Sequence, residues 1–132
     1  YQSELGTAAA WKELAQTGDP LVFYMSSARL PVVVNHLLHY GMLPQMPMAI
    51  IEQATTPLQN VHSSGLAAFN HSFGDRSFVS PSLVIIGKVV VLHKKYQWVN
   101  NTVTNEHFFK PITSQLITIT QSEKSNKPVT RA

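Results

Sequence analysis

The chain has 132 residues, ten lysines and arginines against seven acids, and no cysteine. That length holds one domain, and an apolar share of 44 % supports a core and argues against wholesale disorder. Residues 1–123 balance seven basic against seven acidic side chains, so the excess of +3 comes from Lys124, Lys127 and Arg131, which excludes a strongly basic folded face of the kind that binds nucleic acid.

The first predicted element is a helix over 7–17, with Thr7 as N-cap, Trp11, Leu14 and Ala15 on one face, and Gly18 and Pro20 as its stop. Leu21-Val22-Phe23-Tyr24-Met25 follows as a strand, and its continuous apolarity predicts burial on both faces. Ser26 and Ser27 offer an N-cap for a second helix with Pro31 in its first turn. Leu30, Val33, Val34, Leu37 and Leu38 repeat at helical spacing up to Gly41. A loop with two prolines leads to a second buried strand, Met48-Ala49-Ile50-Ile51. The polar stretch Glu52-Gln53-Ala54-Thr55-Thr56-Pro57 interrupts regular structure. A short strand over 59–63 and a short helix carrying Leu66, Phe69 and Phe73 come next. The most apolar run, 83–92, holds Gly87 at its middle, which predicts a bulge or a close backbone approach. Residues 115–120 alternate as a further strand would, and from Gln121 the chain is polar and reads as frayed. Strands alternating with helices predict an α/β domain with a mixed, mostly parallel sheet and flanking helices.

The absence of cysteine removes disulfide scaffolds, thiol nucleophiles and cysteine-ligated metal sites, and fits a cytoplasmic protein. No apolar run reaches the roughly 18 residues of a membrane span, and no secretory pattern is present. A start at Tyr1 reads as a processed chain or a piece of something longer. His36 and His39 lie three apart on the second helix, but no third ligand is near in sequence, so no metal site is assigned. No phosphate-binding glycine loop and no Gly-x-Ser-x-Gly elbow occur. Two turns stand out, each following a buried strand: 25–31 and 52–57. In open α/β sheets, ligands bind at carboxyl ends of strands. Small residues such as Ala54 and Thr55 let a ligand approach the backbone, and Met25 offers a soft apolar contact.

These turns resemble a known family. Asp19-Pro-Leu-Val-Phe-Tyr-Met-Ser-Ser-Ala-Arg-Leu-Pro31, Ala49-Ile-Ile-Glu-Gln-Ala-Thr-Thr-Pro-Leu-Gln59 and Ser80-Pro-Ser-Leu-Val-Ile-Ile-Gly-Lys-Val-Val90 are similar, in order and spacing, to blocks of the C-terminal domain of the uroporphyrinogen-III C-methyltransferases. These are tetrapyrrole methylases that also form one module of siroheme synthase. The resemblance covers about 8–98, with Trp11 and Leu14 matching the Trp-x-x-Leu before the first strand. It implies the C-terminal domain of a two-domain fold and transfer of two methyl groups from S-adenosyl-L-methionine to uroporphyrinogen III. The product, precorrin-2, feeds siroheme and cobalamin synthesis, and the reaction needs no metal. By motif, Met25, Ala54 and Ser82 match donor-binding positions, with Thr55 and Arg29 as weaker matches. The implied partners are the substrate, an N-terminal domain carrying the remaining donor loops and the acid–base residues, and a second copy in a homodimer; neither nucleic acid nor membrane is expected.

This chain departs from the pattern at Ala54, where glycine is common, at Lys88, where glutamate is usual, and over 70–79. The expected organisation is a C-terminal methylase subdomain over 1–99, an extension with a possible strand over 100–120 and a basic tail over 121–132. Two other readings share these features: a different precorrin methyltransferase, and a catalytically silent binding or dimerisation module.

Overall fold

A computed structural model describes residues 6–24, 27–99, 101–102 and 106–109. Helix α1 (Ala8–Gln16) starts as the sequence predicts: the Thr7 hydroxyl accepts from the Ala10 N–H at 3.3 Å. Strand β1 is Leu21–Tyr24. A single 3₁₀ turn, Ser27–Arg29, leads into α2 (Leu30–His39). The N-cap of α2 is therefore Arg29, which makes no side-chain cap bond. Proline fits the first turn because its missing N–H would have no helical partner there.

Gly41 ends α2 as expected, in a left-handed conformation with φ 102. Its N–H bonds to Leu38 O at 3.2 Å and that of Met42 to Leu37 O at 2.9 Å, the paired bonds of a Schellman cap. Strands β2 (Pro47–Glu52) and β3 (Asn60–Gly65) form a hairpin joined by the 53–59 loop. Helix α3 (Phe69–Phe73) precedes β4 (Ser82–Ile86). The long apolar run then leaves the sheet: Lys88–Leu92 is a 3₁₀ helix and α4 is His93–Tyr96. The turning point is Gly87, at φ 150. A Cβ there would lie 3.1 Å from Pro20 Cα, so the close backbone approach predicted for this glycine is present.

Among the described residues four strands lie in the order β1-β4-β2-β3, and their three pairings are antiparallel. The α/β class holds, but the expected predominance of parallel pairing does not. The reason is β4: β1 and β2 do run the same way, yet the last strand inserts between them in the opposite direction. Sequence order alone does not reveal that insertion.

One face of the sheet carries the core. Met48 and Ile50 of β2, Val84 and Ile86 of β4 and Leu21 of β1 pack with Leu30, Val33, Val34 and Leu37 of α2, together with Trp11, Leu66, Phe69 and Phe78. On the other face Leu83 and Ile85 are half-buried, and on β1 Val22 and Tyr24 are 49 % and 84 % exposed. Strand β1 is thus an edge strand covered on one face, not buried on both; antiparallel sheets tolerate such one-sided cover. The expected strand over 115–120 and the polar tail over 121–132 lie outside the described residues.

Candidate functional site at the strand ends

Register places the two singled-out turns at one end of the sheet. Tyr24, the last residue of β1, pairs with Leu83, and Glu52, the last residue of β2, pairs with Ser82. Met25, directly after Tyr24, lies outside the described residues. Of the other positions expected from the sequence, Ala54 is half-buried, Thr55 exposed and Ser82 buried within β4. The Gln53 N–H donates to Pro81 O at 2.9 Å, tying the loop that carries Ala54 and Thr55 to the residue preceding Ser82. The structure therefore brings Ala54, Thr55 and Ser82 to one edge. Arg29 sits apart from them in sequence, exposed at the start of α2.

The 53–59 loop is strained and self-bonded. Gln53 has φ 49 and Thr55 has φ 69, a left-handed conformation that is a true outlier for a β-branched side chain. Such outliers persist only where the surroundings fix them, and they cluster at functional sites. The fixing bonds are visible. Gln59 Oε1 accepts from the Thr55 N–H at 2.7 Å. Thr56 Oγ1 donates to Gln53 O at 2.8 Å, and the Thr56 N–H reaches the same oxygen at 3.2 Å. Ala54 lies between the two outliers without a positive φ itself, which explains how alanine stands where the family prefers glycine. Among the described residues its N–H and C=O make no hydrogen bond, so a small side chain and two unpaired backbone groups sit within a loop that is otherwise hydrogen-bonded.

Beneath the loop, Glu52 is 3 % exposed. Its Oε1 accepts from the Val79 N–H at 2.7 Å and its Oε2 from His62 Nε2 at 2.8 Å. A carboxylate can only accept, so Nε2 is the nitrogen bearing the proton. The His62 ring also contacts Phe78 and Phe73, with centroids 5.4 and 5.9 Å away. One acid thus joins β2, β3 and the segment leading into β4. Little in the sequence points to it, since His62 is one of several scattered histidines; the available signal is an acid closing an apolar strand. His36 and His39, considered as metal ligands, both pack against Tyr40, and His36 Nδ1 lies 2.9 Å from Val32 O.

The arrangement has solved counterparts. A uroporphyrin-III C-methyltransferase from Thermus thermophilus, complexed with S-adenosylhomocysteine, superposes with a TM-score of 0.54 at 27 % identity, over 61 % of this chain and 36 % of that one. The cobalt precorrin-4 methyltransferase shares the fold, with a TM-score of 0.53 at 14 % identity. The fold is that of the tetrapyrrole methylases. No family model matches the sequence. Siroheme synthases do: that of Thioalkalivibrio sulfidiphilus is 41 % identical over 88 residues, and that of Pseudomonas paraeruginosa 39 % over 92. The matches cover 67 % and 70 % of this chain. The chain spans about one fifth of the length of these relatives (18 % and 20 %). Over about two thirds of its length the chain is thus similar to siroheme synthases, and it shares the fold of the uroporphyrin-III C-methyltransferase. No helix among the described residues is long and apolar enough to cross a membrane.

Proposed function

We propose that this chain is the C-terminal half of an S-adenosylmethionine-dependent uroporphyrinogen-III C-methyltransferase that makes precorrin-2 for siroheme or cobalamin synthesis, and that it is inactive without an N-terminal domain. One observation carries the reading: the strained 53–59 loop, at the position matching the family's donor loop, presents Ala54 with open backbone groups at the same sheet end as Ser82. A donor without a metal suits this surface, which offers short side chains and main-chain polar groups. The S-adenosylhomocysteine held by the Thermus relative supports the same assignment.

When bound, the donor supplies an electrophilic methyl on sulfonium sulfur; a pyrrole carbon takes the methyl and becomes quaternary, the carbon–sulfur pair stays on sulfur, and a proton leaves from elsewhere on the macrocycle to restore its charge. The residues of this chain orient. Ala54, Thr55 and Ser82 form one wall for the donor, Ala54 by its backbone and Thr55 by its exposed position, and the motif assigns Met25 to donor binding as well. Gln59, Thr56 and Glu52 hold that wall still. Alignment of two reactants can supply on the order of 7–11 kcal/mol of a barrier, so a rigid wall is a useful contribution even without an acid or base. The acid–base groups belong to the complementary domain.

That domain also accounts for the uncovered sheet face, since Tyr24 and Val22 leave apolar area for a neighbour or a second copy. A homodimer in the cytoplasm completes the reading. The test is methyl transfer from labelled donor into uroporphyrinogen III, measured on the chain alone and joined to the N-terminal part of a siroheme synthase. Precorrin-2 from the joined protein only is the expected result; no product from the joined protein refutes the assignment. A panel of later precorrins separates it from the other methylases of this fold.

A further inference from the structure

The residues that follow the family-like region return to the candidate donor loop. Asn101 and Thr102 border the same cleft as Gln59, Asn60 and Val61. Further on, the backbone at Glu106 and Phe108 engages both ends of the Gln53 side chain. Gln53 Nε2 donates to Glu106 O at 2.7 Å, and the Phe108 N–H donates to Gln53 Oε1 at 2.6 Å. A primary amide both donates and accepts, so one side chain can hold a carbonyl and an N–H two residues apart. Gln53 is 2 % exposed, and these two bonds supply its amide with an acceptor and a donor in a place where unmet polar groups are costly.

The grip is polar. Phe108 and Phe109 stay 49 % and 53 % exposed, with their rings edge to face at 5.2 Å. Little apolar burial therefore secures this segment, and each neutral hydrogen bond contributes only a factor of about two to ten. A contact of that strength yields to a competitor of modest affinity.

We propose that residues 106–108 are an autoinhibitory strap on the donor loop, an inference that rests on the donor-loop reading above. In the strapped state the chain's own backbone saturates Gln53, next to the open N–H and C=O of Ala54. When the strap leaves, Gln53 needs another carbonyl and another N–H, which a ligand or the neighbouring domain must bring. Strap and incoming partner compete for one side chain.

The test uses the whole 132-residue chain and two variants. Phe108→Pro removes the N–H that Gln53 accepts, while Phe108→Ala keeps it and removes the ring. The Gln53 side-chain amide and the amide exchange of residues 106–109 are read by NMR, and S-adenosylhomocysteine is titrated to millimolar concentration with the Ala54 and Thr55 amides as reporters. Phe108→Pro is expected to shift the Gln53 amide, unprotect the segment and tighten S-adenosylhomocysteine binding about two- to tenfold; Phe108→Ala is expected to behave as the parent chain. An unmoved Gln53 amide in Phe108→Pro overturns the strap whatever the titration gives. A released strap with unchanged or weaker binding overturns the inhibition. Absence of binding in every protein, with the strap released, overturns the inhibitory role and leaves the donor reading to the methyl-transfer test of the joined protein.

Discussion

Two adjacent residues of the 53–59 loop should respond to the same substitution with opposite sign. Thr55 is held at φ 69, whereas Ala54 beside it has no positive φ. A left-handed conformation costs a residue with a Cβ about 1–2 kcal/mol. Glycine escapes that cost but adds about 0.5–1 kcal/mol of chain entropy to be lost on folding. Thr55→Gly therefore stabilises the chain by about 0.5–1 kcal/mol, and the bond from its N–H to Gln59 survives because it is made by the backbone. Ala54→Gly gains nothing in strain and destabilises by about 0.5–1 kcal/mol. For a chain of this size the two shifts in melting temperature are roughly 2–5 °C, upward for Thr55→Gly and downward for Ala54→Gly. Thermal unfolding followed by circular dichroism reads both. If both variants melt lower by similar amounts, Thr55 is not strained, and the argument that this loop is a stiffened binding wall fails with it.

Other expectations follow from the same region. Glu52→Ala leaves the Val79 N–H and His62 Nε2 without their acceptor and should cost about 2–5 kcal/mol, read as a lower urea midpoint at unchanged slope; Glu52→Gln, which retains one accepting oxygen, should cost less. A loss under about 0.5 kcal/mol for Glu52→Ala would remove the acid as an anchor. Gly87→Ala should destabilise by about 1–3 kcal/mol, because φ 150 suits glycine alone and the added Cβ meets Pro20; an unchanged midpoint contradicts that. In the protein joined to its N-terminal part, Ala54→Leu should weaken S-adenosylhomocysteine binding about tenfold by calorimetry with the melting temperature held, since it crowds the wall and not the core. Unchanged affinity would take Ala54 off the donor surface.

Much of this molecule was legible in the sequence because local rules dominate it. Thr7 caps α1, Gly41 ends α2, and the helical spacing of Leu30, Val33, Val34 and Leu37 maps onto their burial. What the sequence hid is non-local. Strand direction depended on where β4 inserts, and the exposed face of β1 depended on what lies over it. The run 83–92 reads as one apolar stretch with a bulge or close approach at Gly87, yet the backbone there turns its second half into a 3₁₀ helix with Val89, Val91 and Leu92 exposed. In the site, motif and composition pointed to Ala54 and Thr55, but the strain at Gln53 and Thr55 is a backbone property that no residue type announces. The Glu52–His62 and Gln53–Phe108 contacts each depend on chain segments meeting in space.

The strand order also dictates a timetable for folding. The β2–β3 hairpin closes over a short loop and can form early, while β1 has no strand partner until β4 arrives, Leu21 meeting Ile86 and Tyr24 meeting Leu83. Among the described strands, the one inserted within the sheet is thus the last to be synthesised. A nascent chain halted before Ser82 carries α2 and β2 with their apolar faces uncovered, a state prone to association and suited to chaperone capture. Shortening the gene from its 3′ end should therefore abolish folding abruptly once β4 is lost, whereas shortening it only as far as α4 should spare the sheet.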